Sequence, residues 1–241
     1  MLSEKVLKQI IVISDGHSNQ GIDPVDAARE AWENGITVNT IGILDAGRMG
    51  SRGRQEVEQI AYVGGGVCQF TAAEDIGLTI QTVTSQLTRR YSELIFNRQL
   101  RQMTGVELTG LSPAQRAALV PLLMKLAEDI EMDLVLVLDT SGSMIKKKLA
   151  LDESLAEMMI CLGHRSGTVN LAIIQFPGPA GNGCLIKPWQ LNNALTSRIL
   201  RAVTYGGPTP TGPAIKAAIT LLLSDEAVVS LKAGYEVGTV I

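Results

Sequence analysis

Two strand-like segments in this chain are continuous apolar runs, without the alternation of polar and apolar residues that marks a half-solvated sheet. Gln9-Ile10-Ile11-Val12-Ile13 ends in Ser14-Asp15-Gly16, and Leu134 to Leu138 is of the same kind; Ile36 to Ile43, Val67 to Phe70, Val169 to Phe176 and Cys184 to Lys187 are further strand-like segments with polar residues among them. Uninterrupted β-branched runs predict strands covered on both faces, as in a parallel sheet. Helix-period segments lie between them. Asp23 as N-cap and Pro24 at the first helical position open a helix that runs to about Glu33 and stops at Asn34-Gly35. Further helices are predicted at about 54–63, 74–90 (with Ile76, Ile80, Val83 and Leu87 at helical spacing), 145–162, 191–203 and 213–223. The β-α-β rhythm implies right-handed crossovers and an α/β fold: a doubly wound, mainly parallel sheet with helices on both faces.

Residues 91–132 break that rhythm and read as a helical connector. Ser112-Pro113-Ala114-Gln115 is a capping box, so a helix starts there and runs to about Asp129, with a kink expected at Pro121. Leu119, Leu122, Leu123, Leu126 and Ile130 form an apolar stripe expected to pack on the domain, because a free helix of this length is marginal in water. Tyr91 to Met103 is expected to be helical too. Residues 227–241 show no clear pattern, and the two α/β stretches are not copies of each other.

Composition narrows the function. The chain has 241 residues, 46% hydrophobic and 19% charged, enough for one large α/β domain or two small ones with a substantial core. A net charge of −3 argues against nucleic acid or an anionic membrane as partner. Cys68, Cys161 and Cys184 are scattered without C-x-x-C spacing, the pattern of reduced, mostly buried thiols. No signal-peptide pattern opens the chain and no apolar stretch approaches the ~20 residues of a membrane span, so a soluble, cytoplasmic protein is expected.

The densest chemistry is Asp139-Thr140-Ser141-Gly142-Ser143, one carboxylate and two hydroxyls where an apolar strand meets a loop. Three hard oxygen donors so close together suit a small hard cation such as Mg²⁺; taken alone, the serines could equally cap the next helix. Enzymatic signals are thin. G-x-S-x-G is absent, neither His17 nor His164 sits in a triad context, and Gly64-Gly65-Gly66 lacks the P-loop ending and reads as a turn. Asp139 resembles an aspartyl nucleophile of phosphatases, but Ser141 stands where a second acid is needed.

Two complementary half-patterns carry a resemblance. The later one joins Asp139-x-Ser141-x-Ser143 to Gly206-Gly207-Pro208-Thr209-Pro210-Thr211-Gly212 before a helix. It resembles the first half of a von Willebrand factor A (VWA) domain. The earlier one joins Ile11-Val12-Ile13-Ser14-Asp15-Gly16 to Ala27-Ala28, Gly35-Ile36-x-Val38, Ile41-Gly42 and Ile60-Ala61 to Gly64-Gly65-Gly66. It resembles the second half. The chain is thus similar to a circularly permuted VWA domain, particularly those of spore-forming bacteria: residues 1–90 form the second half, 91–132 join the natural ends, 133–226 form the first half, and 227–241 are a tail. In the usual VWA sheet the first and fourth strands are neighbours, so the permutation implies that Asp139 and Asp15 lie side by side. The resemblance implies a metal-ion-dependent adhesion site (MIDAS) of Asp139, Ser141, Ser143, Thr209 and Asp15 holding Mg²⁺, or Mn²⁺. Thr209 is favoured over Thr211 by its distance from Gly212. It further implies a non-enzymatic protein-interaction module that takes a partner's Glu or Asp at the metal, in company with a bacterial ATPase, kinase or phosphatase. A metal-assisted hydrolase and a metal-free scaffold are the alternatives.

Overall fold

The structure, a computed structural model, describes residues 6–45, 49–178, 185–189 and 205–224. Six strands form one sheet: β1 (Leu7–Ser14), β2 (Thr37–Ile43), β3 (Gly65–Thr71), β4 (Met132–Asp139), β5 (Val169–Phe176) and β6 (Leu185–Trp189). Their spatial order is β3-β2-β1-β4-β5-β6. The first five run parallel, and β6 closes one edge antiparallel to β5. At the centre β1 lies against β4, from Leu7 opposite Met132 to Ile13 opposite Leu138.

The described residues form six α-helices, α1 (Pro24–Glu33), α2 (Ser51–Val63), α3 (Ile76–Thr104), α4 (Pro113–Asp129), α5 (Lys148–Gly163) and α6 (Thr211–Leu223), all but α4 packing on the sheet. Successive strand residues point to opposite faces, and each face has its own core. Ile11, Ile13, Leu134, Leu136 and Leu138 meet Ile76 and Ile80 of α3 and Leu151, Leu155 and Met158 of α5. Ile10, Val12, Val135 and Val137 meet the small faces of α1 (Ala27, Ala28, Ala31) and α6 (Ala214, Ile215, Ala218). This two-sided burial is why β1 and β4 carry unbroken apolar runs. Each such side chain contributes roughly 1.5–3 kcal/mol.

The predicted N-terminus of α1 is found, with the Asp23 carboxylate accepting from the Val25 amide at 2.8 Å. The Ser112/Gln115 capping box of α4 forms in both directions. Elsewhere the structure differs from expectation. The helix from Glu74 and the helical stretch from Tyr91 are one element, α3, because no glycine or proline interrupts the chain between Gly77 and Gly105. α4 continues through Pro121. Its stripe is only partly covered: Ile130 is buried, Leu119, Leu123 and Leu126 are half-buried, and Leu122 is 52% exposed. α4 packs chiefly on α3, outside the layer that touches the sheet, so only a narrow side of it is shielded. The Gly64–Gly66 run is not a turn alone, since Gly65 and Gly66 open β3. A Cβ on Gly66 would lie 2.2 Å from the Val38 carbonyl oxygen, so the close approach of β3 to β2 requires glycine there. Cys68 is half-buried and Cys161 exposed on α5, which corrects the expectation of buried thiols for Cys161. Cys184, the predicted helix 191–203 and the tail 227–241 lie outside the described residues.

Candidate metal centre

The register of β1 against β4 sets Ser14 and Asp15 beside Asp139 at the carboxyl ends of two adjacent central strands. In an open parallel sheet this is where ligands bind. Residues 124 positions apart thereby become neighbours through backbone pairing alone.

Asp139 is fully buried. Ser14 Oγ donates to its Oδ2 at 2.6 Å, and the Ser141 amide donates to its Oδ1 at 2.8 Å. Burial pushes its carboxyl up to about 6; the Ser14 and Ser141 hydrogen bonds pull it down, and the nearby charge of Asp15 adds a further upward push. Asp15 is held from the β4–α5 side: Ser143 Oγ donates to Oδ1 at 2.7 Å, and Lys147 Nζ donates to Oδ2. The hydroxyls of Ser141 and Ser143 are 3.2 Å apart. The two halves of the chain thus meet through hydrogen-bonded residues that run from Asp139 through Ser141 and Ser143 to Asp15.

The threonine loop is fastened against both halves. The Gly206 amide donates to the Thr140 carbonyl at 2.8 Å, while Thr140 itself bonds Phe176 O at the end of β5. The Thr209 amide donates to Asn19 Oδ1 at 2.8 Å, and the Thr209 carbonyl accepts from the Asn19 amide and Ser18 Oγ, both at 3.1 Å. Gly206 and Gly207 have φ of 132° and 93°, backbone that only glycine adopts readily. Thr209 and Thr211 are both buried; Thr209 lies in the loop, whereas Thr211 is the first residue of α6.

Several residues of this region lie outside the ligand set expected from the sequence. Ser14 precedes the expected Asp15 and binds Asp139 directly. Asn19 clamps the loop. Lys147 is the middle of three successive lysines, of which Lys146 is exposed and Lys148 lies over the Tyr205 ring at 5.0 Å. Tyr205 Oη and Asp152 Oδ1 are buried without a hydrogen-bond partner. Burial first, then the charges of Asp152 and Asp139, raise the Tyr205 hydroxyl, which keeps it neutral. His17 is exposed on the rim and lines an open cleft of about 320 Å³ with Asp23, Arg52 and Glu56. Glu56 accepts from the Ser18 amide at 2.7 Å, and burial raises its carboxyl. His164 caps the C-terminus of α5, away from these residues in the chain.

The donor set fits a small divalent cation. Two carboxylates supply charge, hydroxyls supply neutral oxygens, and Mg²⁺ takes oxygen ligands. Asp139 is held only by neutral donors, a hydroxyl and an amide, so a cation there would offset the cost of burying its charge. Among the described residues no three His, Cys, Asp or Glu side chains converge, so no nitrogen- or sulfur-rich centre competes with this arrangement there.

Comparison with known proteins agrees with the architecture. The family model for the von Willebrand factor type A domain matches residues 3–86, which hold β1 to β3 and most of the site's Asp15 side. YabS of Bacillus subtilis is 36% identical over 214 residues, covering 88% of this chain and 87% of YabS. The crystal structure of a protein from Alicyclobacillus acidocaldarius superposes with a TM-score of 0.84 at 38% identity, covering 92% of this chain and 96% of that one. A strand pair that brings Asp15 beside Asp139, a sheet in the order β3-β2-β1-β4-β5-β6 and relatives matched along nearly their whole length lead to one conclusion: the chain belongs to the von Willebrand factor A family.

Proposed function

We propose that this protein is a divalent-metal-dependent protein-interaction module whose metal ligands are Asp139, Ser141, Ser143, Thr209 and Asp15. The observation that carries the reading is the convergence of two carboxylates and two serine hydroxyls, from opposite ends of the chain, at the carboxyl ends of β1 and β4. Each residue has a definable part. Asp139 and Asp15 supply the negative charge, Ser14 fixes one oxygen of Asp139, and Ser143 orients Asp15 while keeping its own lone pairs available. The loop that carries Thr209 is clamped by Asn19 and tied to Thr140 through the Gly206 amide. A bound Mg²⁺ or Mn²⁺ would supply an electrophilic position for the carboxylate of a partner's Glu or Asp.

The reading is non-enzymatic. Acid–base or nucleophilic catalysis needs a proton acceptor free to reach a substrate. Here Asp15 and Asp139 would be engaged by the ion, and the proposed ligand set holds no further group to act as a general base. The charge of the chain favours a protein partner over nucleic acid, and no helix of the described residues is long and apolar enough to cross a membrane. A bacterial ATPase, kinase or phosphatase system in the cytoplasm is the setting proposed for that partner.

The test is capture of partners by immobilised protein with Mg²⁺ or with EDTA, wild type beside Asp139→Ala. A partner retained only by wild type in Mg²⁺ supports the reading. Equal retention in EDTA favours a metal-free scaffold, and phosphoester or peptide turnover lost in Asp139→Ala favours a hydrolase.

A further inference from the structure

We infer that Lys147 is a built-in counter-cation of this centre, holding the Asp15 carboxylate aligned while limiting how tightly a divalent ion binds. The inference rests on the metal-site reading above but concerns a residue outside the ligand set. Lys147 closes the 3₁₀ turn Gly142–Lys147 that follows the serine loop. Its neighbours Lys146 and Lys148 turn to solvent and to the Tyr205 ring, whereas its own ammonium turns inward onto Asp15 Oδ2. The pair is well shielded, with side-chain exposures of 11% for Lys147 and 4% for Asp15.

Shielding changes what this contact does. A surface ion pair is worth little, but a carboxylate taken out of water must be neutralised or paired. Asp15 faces a second carboxylate, Asp139, across the serine hydroxyls. Two acids this close repel each other, and Lys147 is the cation that relieves Asp15. Ser143 holds the other oxygen, so the carboxylate is fixed in orientation from both sides.

The same charge acts against an incoming divalent ion. With Lys147 the centre carries one net negative charge from two acids and one base; without it, two. Even in bulk water, a single and a double positive charge about 6 Å apart repel enough to change affinity about tenfold. Lys147 therefore sets a working affinity and lets the domain stand without metal.

The experiment is calorimetric titration of metal-stripped protein with MgCl₂ and MnCl₂, beside thermal denaturation in EDTA. Lys147→Gln keeps a donor for Asp15 and removes the charge, Lys147→Met removes both, and Lys147→Arg keeps the charge. Lys147→Gln and Lys147→Met should bind Mg²⁺ about tenfold tighter than wild type and melt lower in EDTA. Lys147→Arg should stay within about twofold of wild-type affinity, well inside that electrostatic change. Should Lys147→Met unfold without metal, Lys147→Gln alone decides the affinity. A Lys147→Gln protein that binds Mg²⁺ no tighter than wild type, with wild type binding normally, overturns the role of Lys147 and leaves the pair a structural clasp. No binding by wild type or variants overturns the metal-site reading itself, and this inference with it.

Discussion

Replacing Ser14 with alanine isolates the support beneath the centre without touching a proposed ligand. Its hydroxyl donates to Asp139 Oδ2 at 2.6 Å, and both residues are buried. Alanine fits the strand and leaves almost no cavity, so the loss is the hydrogen bond and the stranded carboxylate oxygen. Hydrogen bonds to charged groups are worth about 1.5–3 kcal/mol, and a buried partner left unsatisfied belongs in that range. Taking about 2 kcal/mol, the melting temperature of a domain this size should fall by about 4–8 °C. Ser143→Ala is the control. Its bond to Asp15 is of similar length at 2.7 Å, but Ser143 is exposed and water can replace it, so a loss of no more than about 0.5 kcal/mol is expected. The assay is urea and thermal denaturation of both variants in EDTA, which keeps metal binding out of the comparison. If Ser14→Ala is as stable as Ser143→Ala, the buried bond to Asp139 does not carry the energy assigned to it.

Three further outcomes follow from the fold. Burial raises the Asp152 carboxyl, with Lys148 opposing, so the acid contributes stability at low pH that is lost as pH rises through its raised folded-state value; Asp152→Asn should therefore stabilise the protein at neutral pH in denaturation curves and lose that advantage below about pH 4. On α4, Leu126 lines a recess with Tyr91 and Ile130 while Leu122 is 52% exposed, so Leu126→Asp should cost at least about 2 kcal/mol and Leu122→Asp less than about 0.5, measured by chemical denaturation. A Cβ on Gly212 would lie 2.1 Å from the Ile22 carbonyl oxygen, whereas one on Gly142 meets nothing within 4 Å; Gly212→Ala should melt lower by several degrees and Gly142→Ala should not.

The centre of the fold was legible because its signals are local and redundant. Ile10 to Ile13 and Leu134 to Leu138 are unbroken apolar runs, and such runs occur where both faces of a strand are covered. The serine motif and Ser14-Asp15-Gly16 then sit at strand ends, so pairing of β1 with β4 brings Asp15 and Asp139 together. What stayed hidden depends on tertiary choices. Nothing in the sequence singles out Lys147 among three successive lysines; the 3₁₀ turn from Gly142 aims it at Asp15. Ser14 reads as a strand-ending residue until the register sets it beside Asp139. The leucines of α4 carry helical spacing that announces an apolar side, but spacing says nothing of how wide a surface covers it, and α3 covers only part. The β-α rhythm breaks after Arg90, yet the backbone runs straight through Tyr91 as one helix.

The central claim is that Asp15 and Asp139, from opposite ends of the chain, serve one ion. Thermal denaturation across a Mg²⁺ or Mn²⁺ titration, read beside calorimetry, tests it most directly. An ion that binds only the folded protein stabilises it by about 2.7 kcal/mol at a hundredfold excess over its dissociation constant. Wild type should therefore gain about 5–10 °C at that concentration. Asp15→Ala should erase the gain as fully as Asp139→Ala, while Ser141→Ala, which leaves both charges, should only reduce it. Tight Mg²⁺ binding by Asp15→Ala would contradict the shared centre and return Asp139-x-Ser141-x-Ser143 to a helix-capping loop.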